Sequence, residues 1–468
     1  MKADNEHVKH QERVWRLGAI TAGLTGLMIF VYVAWASRLL RPGADDYCFA
    51  VDVDRGVIGG LVYWFEEISG YSAFLFGAMA FVGWPLRNMS FSVASAIPFI
   101  LAALAVGVAG STVLWSSSLN RSRKSLLRTL VWIPAIAVAW WAFLWLPVSQ
   151  GADGITRWMA NGLTHWQTLN GTYVFQTAWV LTVFLLLWIQ VASNPRWAWA
   201  FLPLGLVIGF GGAALVGTVA VVGVLYLAYT WIASSSVRPQ QRLASLLLLV
   251  GTLMGGLASH FAPGTQSRSE ILGAAAPTSL RAIGELVNGT LPWAVFTWFQ
   301  SFAHSGTLLV GAAGVVIGWL LARLGHGFAP FRGISLGLSL LGTGLIASMV
   351  SRFTELFAYE GYWHFILVWL LSFFGILVGS VSIGSWLSGR SWQTETPVMT
   401  AVLGIVVLTT VGAVLTMTTG MAARALAWEI GPAPLPGMVS DLENPEGMEI
   451  ECWRDLGQLR DLPARGNY

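Results

Sequence analysis

The sequence predicts an all-α polytopic membrane protein with about 11 transmembrane helices. Three observations predict it. Of the 468 residues, 55% are hydrophobic and only 10% charged, with a mean hydropathy of +0.66, a composition no soluble domain of this size carries. Apolar runs of about 20 residues, long enough to cross a hydrocarbon core, recur along the chain. The 25 Trp and ten Tyr supply amphipathic rings for many membrane–water interfaces.

The expected spans follow in chain order. The first, 17–38, is too long for the apolar part of a signal peptide and lacks a small-residue cleavage pattern, so it reads as a retained helix. Spans at 91–115, 129–149 and 172–193 come next. A tight pair at 198–212 and 214–234 is interrupted by Gly209, Gly211 and Gly212, and each half is short. That pattern fits broken or re-entrant helices lining a cavity, and equally fits close packing through small residues. The last five spans are 243–260, 305–322, 333–350, 363–386 and 398–418. Residues 1–430 then form one transmembrane domain, followed by a short extracytoplasmic tail, 431–468, rich in proline and acids.

Charge orients these spans. With the N-terminus in the cytoplasm, 14 Lys/Arg and four Asp/Glu fall on that side, against 12 and 19 on the other. The clearest cytoplasmic markers are Arg121, Arg123, Lys124 and Arg128, then Arg238 with Arg242, and Arg323 with Arg332. This is the positive-inside pattern, and it predicts a multi-pass protein of the inner (plasma) membrane with an extracytoplasmic C-terminus. The 23 Arg against three Lys read as a compositional bias, and no nucleic-acid partner is expected.

Under this topology the chemically informative residues gather on the outer face. The first outer loop, 39–88, opens with Arg41-Pro42-Gly43-Ala44-Asp45-Asp46-Tyr47-Cys48. A carboxylate in hydrocarbon costs on the order of 2.5–3.5 kcal/mol at mid-bilayer and less toward the interface, and adjacent carboxylates repel. Such a pair at a helix exit is therefore either a solvated turn or cap or a site of chemistry. Further along, Val57, Leu61, Trp64, Phe65 and Ile68 recur at helical spacing while Glu66 and Glu67 face away, the pattern of an interfacial amphipathic helix. Asp153, Arg157, His165 and Gln167 lie in the second outer loop. A later loop begins His260-Phe261-Ala262-Pro263-Gly264-Thr265-Gln266-Ser267-Arg268 and carries Arg281, Glu285 and His304. Arg352, Glu355, Glu360 and His364 stand beside Tyr359, Tyr362 and Trp363, and Arg424 follows the last span. A snorkelling role suffices for a terminal arginine such as Arg352, and hydrogen-bonded interface roles suffice for the histidines. The sequence has no phosphate-cradling loop, no Cys/His metal spacing and no nucleophile elbow, which argues against an ATP-driven pump or a soluble-type hydrolase.

Three of these elements resemble the C-type glycosyltransferases (GT-C), polytopic enzymes that use polyprenyl-phosphate sugars. They are the acidic pair Asp45-Asp46-Tyr47 soon after the first helix, the interfacial helix ending in Ser69-Gly70-Tyr71-Ser72, and the Pro-Gly-x-x-x-Arg element Pro263, Gly264 and Arg268. The resemblance implies a GT-C-like fold and an inverting transfer of sugar on the outer face of the membrane. The donor would be lipid-linked, and the acceptor a cell-envelope glycan, lipid or protein. It implies Asp45, or Asp46, as general base. Arg268 is the first choice for binding the donor phosphate, with Arg352, Arg281 and Arg424 after it. Tyr47, Trp64, Tyr71, Trp363 and His260 would hold sugar or lipid. No cofactor is required, and a divalent cation, where one is used, would sit on Asp45 and a second carboxylate. Both cysteines, Cys48 and Cys452, are expected outside, where an oxidising compartment permits a disulfide. Two other classes stay open: a transporter or flippase of lipid-linked saccharide, and a non-catalytic envelope assembly protein.

Overall fold

A computed structural model describes residues 20–40 apart from 22, together with 49, 52–67, 70–119, 129–151, 170–232, 238–266, 280–323, 328–358, 365–388 and 395–430. Helix α1 spans Gly23–Leu39 and closes in a 3-10 turn. Helices α2 (Gly56–Glu67), α3 (Ser72–Ala78) and α4 (Trp84–Asn88) follow, with a π turn at Met79–Gly83 between the last two. Next come α5 (Phe91–Ser117), α6 (Ile133–Ser149) and α7 (Phe175–Val191), the last entered through a π turn at Asn170–Val174. A 3-10 turn at Pro195–Ala200 leads into α8 (Phe201–Gly209), then α9 (Ala213–Ile232) and α10 (Pro239–His260). The chain ends in α11 (Leu280–Gln300), α12 (Ser305–Arg323), α13 (Pro330–Ala358), α14 (Phe365–Ser388) and α15 (Glu395–Ile430).

Eight helices among the described residues are long and apolar enough to cross a membrane, which makes this a multi-pass membrane protein. All eight fall on expected spans. Two further expected spans, at α1 and α6, are shorter apolar helices. The span expected at 198–212 is the 3-10 turn followed by the nine-residue α8. Three helices lie where the sequence reading has only loop: α3, α4 and α11. The first two are too short to register as spans, and α11 carries Arg281, Glu285 and Asn288 in its first turns, which dilute its apolar second half.

Helix α14 is the axis of the bundle. Nearly every residue from Phe365 to Val381 is buried, and α12, α13 and α5 pack around it. Its aromatic rings mesh with those of α6: Phe373 lies 5.3 Å from Trp140 and 5.4 Å from Phe143, both edge-on. On the other side of α6, Trp141 stacks on Phe99 at 5.0 Å and on Phe30 of α1 at 5.5 Å. At the periphery, α9 and α15 turn Leu225, Trp231, Ile405 and Leu408 outward, as lipid-facing helices do.

The glycine-interrupted region packs closely through small residues, one of the two readings that the sequence left open. The 3-10 turn and α8 run alongside α10 in the same direction, too short to be an ordinary span and packed through glycine. A Cβ at Gly205 would lie 2.4 Å from the Leu248 carbonyl, and one at Gly251 2.4 Å from the Leu202 carbonyl. These backbones touch because no side chain separates them. Gly251→Val should therefore overpack the contact and destabilise the protein by about 1–3 kcal/mol. Gly404→Ala in α15, where a Cβ meets nothing within 4 Å, should be neutral or stabilising by up to about 1 kcal/mol. Thermal unfolding of the two variants in one detergent distinguishes them.

Candidate functional site at the Gly70 end of the bundle

The segment after α1, expected to be the first outer loop, is built on a buried acid. Leu40, which follows α1, is buried, and the chain re-enters the described region at Phe49. Asp45, Asp46, Tyr47 and Cys48 lie outside the described residues. Phe49 packs its ring on Trp64 at 4.9 Å, and its carbonyl lies where a Cβ on Gly83 would come within 2.3 Å. Asp52, only 8% exposed, accepts a 2.6 Å hydrogen bond from the Trp64 indole N–H. A buried carboxylate needs such a donor. One edge of Trp64 is thus committed to Asp52 and one side of its ring to Phe49.

The amphipathic pattern of α2 is realised against protein. Val57, Leu61 and Trp64 rest on Phe49, Val53, Leu75, Ala78 and Met79, while Glu66 and Glu67 are exposed. Ile58 and Val62 stay exposed on a further side, apolar surface suited to the membrane interface.

The loop then makes its decisive contact. The Gly70 N–H donates to Thr265 Oγ1 at 2.8 Å, across 195 residues, and the same hydroxyl donates to the Ser259 carbonyl at 2.8 Å. The Ala73 N–H donates to the Phe210 carbonyl at 3.1 Å. Ser259 Oγ donates to the Gly209 carbonyl at 3.3 Å, and the Gln176 amide donates to the Ala73 carbonyl. Gly70 has to be glycine, since a Cβ there would lie 2.2 Å from the Ser259 carbonyl and 2.6 Å from the Ala262 Cβ. The polar end of the interfacial helix and the Pro263-Gly264 element, two of the three pieces singled out in the sequence, are therefore one junction. It joins the first loop to the ends of α7, α8 and α10.

Other expected residues can be located by backbone. Tyr71 is half-buried at the start of α3. His260 is exposed at the end of α10, its ring edge-on to Phe261 at 5.1 Å and its carbonyl accepting from Gln266 Nε2 at 2.7 Å. Val350 of α13 packs on Gly217, four residues into α9, so the backbone carrying Arg352 reaches the Gly70 end. Helix α11 runs antiparallel to α13, with Ser348 Oγ donating to the Ala294 carbonyl at 2.7 Å, so Arg281 starts at that end too. Gly420 of α15 meets Trp145, close to the end of α6, and Arg424 follows one turn on. The side chains of these three arginines lie outside the described residues, as do Arg268, Trp363 and Cys452. Among the described residues no three His, Cys, Asp or Glu side chains cluster as a metal site.

The opposite end of the bundle holds the arginines the sequence marks as cytoplasmic. Arg238 Nη1 donates to the Ala192 carbonyl at 2.5 Å, and Arg332 Nη1 to the Ser118 carbonyl at 3.4 Å. Arg323 stands over the Trp319 ring at 5.5 Å.

Sequence reading missed Gln176 and Ser259 as parts of this junction, and Asp52 as the acceptor for Trp64. Nothing in the one-dimensional pattern brings Gln176 or Ser259 to Gly70, because each is an isolated polar residue near a span end. Thr265→Val should leave the Gly70 N–H without its acceptor and lower stability by about 1–3 kcal/mol. Gly70→Ala should be more disruptive, since its Cβ meets backbone that cannot yield. Thermal unfolding with the serine variant Thr265→Ser as a near-neutral control tests both.

The chain matches no protein-family model, no curated protein and no solved structure.

Proposed function

We propose that the protein is an inverting, membrane-embedded glycosyltransferase of the GT-C type. It transfers a sugar from a polyprenyl-phosphate donor to an envelope glycan, lipid or protein on the extracytoplasmic face. The observation that carries this reading is the Gly70–Thr265 hydrogen bond, which unites the first loop with the Pro-Gly element. In support, the helices bearing Arg281, Arg352 and Arg424 all have those residues at the same end of the bundle. The segregation of Arg238, Arg323 and Arg332 to the other end agrees with the orientation expected from the positive-inside pattern.

The chemistry asked of the residues is specific. Asp45, or Asp46, takes the proton of the acceptor hydroxyl as its oxygen bonds to the anomeric carbon. The bond from that carbon to the phosphate oxygen breaks on the opposite side, so the configuration inverts. The departing phosphate keeps the electron pair, and a guanidinium, planar and always charged, stabilises it best. Arg268, three residues beyond Thr265, is the leading choice. Preorganised cations act more strongly on this developing charge than on the resting donor.

A transporter or flippase of lipid-linked saccharide is the second reading. It is favoured by the interruption between α11 and α12, since transporters build binding sites on discontinuous helices. Purified protein given synthetic polyprenyl-phosphate sugars should transfer the sugar, and Asp45→Asn should reduce the rate by roughly 10²–10⁴. Transfer that persists in both Asp45→Asn and Asp46→Asn eliminates the base. Translocation of the lipid-linked sugar in vesicles without any glycosidic product selects the second reading.

A further inference from the structure

We propose that the link between α11 and α12 is a binding site for a neutral hydroxyl group, carried by water or by a membrane-borne alcohol. The proposal is independent of the glycosyltransferase reading. Helices α11 and α12 run in the same direction but on different lines. Trp298 Nε1 of α11 donates to the Leu341 carbonyl of α13 at 2.9 Å, while α12 lies along α14, with Gly314 against Ser380 and Gly318 against Val381. Residues 301–304 make the sidestep at the level of Ser372, whose Oγ is 2.7 Å from that of Ser301. This is inside the bundle. Phe143, which touches His304, lies six residues from the end of α6, a depth of about 9 Å at 1.5 Å per residue.

Several polar atoms of this link have no partner among the described residues. Five buried side-chain nitrogens and oxygens without a hydrogen bond belong to it or to the ring stacked on it: Gln300 Oε1, His304 Nδ1, Ser305 Oγ, Thr307 Oγ1 and Trp369 Nε1. Trp369 is 0% exposed and stacks on His304 at 5.0 Å with an 18° tilt, while Phe143 covers the ring from another side at 4.6 Å. Leaving a polar group unpaired in an apolar interior costs on the order of 1–3 kcal/mol by mutational data. Four within residues 300–307, and a fifth on the ring stacked over His304, point to a common partner.

Their chemistry specifies the ligand. His304 Nε2 is 3.1 Å from the Ser301 carbonyl, which can only accept, so Nε2 carries the hydrogen and Nδ1 presents a bare lone pair. Gln300 Oε1 is a second pure acceptor, Trp369 Nε1 is a pure donor, and the two hydroxyls can be either. A hydroxyl group complements that set, because it donates and accepts at once. No charged residue occurs in α6 or α14, nor between 286 and 322, so nothing here would neutralise an ion. The sidestep also faces outward: Ala303 is exposed, and Phe299 and Leu308 flank it at 54% and 76% exposure. A hydroxyl arriving through the lipid phase has a route.

The test uses the sign of a stability change in the full chain purified in detergent. Thr307→Val is isosteric and removes one hydroxyl, and Gln300→Leu removes one acceptor. With a bound hydroxyl, each lowers Tm, and the double variant falls by less than the sum because both lose the same ligand. If the site is dry, replacing an unpaired polar group by an apolar one relieves its cost, so Thr307→Val raises Tm or leaves it unchanged and the proposal is overturned. Should Gln300→Leu fail to fold, the sign for Thr307→Val alone decides. Added n-decanol that raises the Tm of the wild type but not of Thr307→Val identifies a membrane-borne alcohol. No response to decanol, with the non-additivity intact, identifies water.

Discussion

In a hydrocarbon layer, a backbone N–H or carbonyl that leaves a helix must find its partner within the protein. That constraint organises this fold. The chain departs from regular helix at Gly70, at 210–212 and at 261–262. The freed groups at these points satisfy one another: Gly70 N–H with Thr265, Ala73 N–H with the Phe210 carbonyl, and the Gly209 carbonyl with Ser259. The helix ends thus generate the polar junction. The same requirement gives α8 its company, because a nine-residue helix on a 3-10 turn is held by glycine contact with the full-length α10.

Much of this was legible in the sequence, and the failures have physical causes. Spans such as 243–260 and 363–386 were readable because burial in lipid demands an unbroken apolar run, and α10 and α14 occupy them. The period of Val57, Leu61 and Trp64 was readable for the same reason at smaller scale. Helix α11 was not, because its first turns carry Arg281 and Glu285 and its apolar half is cut by Pro292. The π turns at Met79–Gly83 and Asn170–Val174 were invisible, since nothing in the apolar pattern distinguishes them from α-helix. Of the candidate site, the Gly70 and Pro263-Gly264 pieces were legible as motifs, but their meeting depends on Thr265 and Ser259, whose importance comes from a three-dimensional contact. Asp45, Asp46 and Arg268 lie outside the described residues, so their relation to that contact rests on sequence position.

Both halves of the bundle combine glycine contact with interlocked rings. Around α14, Trp140, Phe143, Trp369 and Phe373 meet edge-on or stacked, while Gly318 and Gly384 bring the α12 and α14 backbones together. Around α8 and α10 the glycine backbones touch, and Phe201 lies edge-on to Phe184 and Trp188. Interlocked rings resist sliding because each fills a shaped hole. The first loop is anchored to the α8–α10 half, through Phe210 and Ser259, while the α11–α12 sidestep belongs to the α14 half.

The order of synthesis gives the Gly70 hydrogen bond a further consequence. Its donor emerges from the ribosome 195 residues before its acceptor. While helices α1 to α9 are being inserted, the acidic first loop has neither Thr265 nor Ser259 to close upon. The Gly70 end of the bundle is therefore assembled only once α10 has been made. Until that moment the nascent chain displays its acid-bearing loop unfastened, and a half-made molecule is kept from presenting a finished rim.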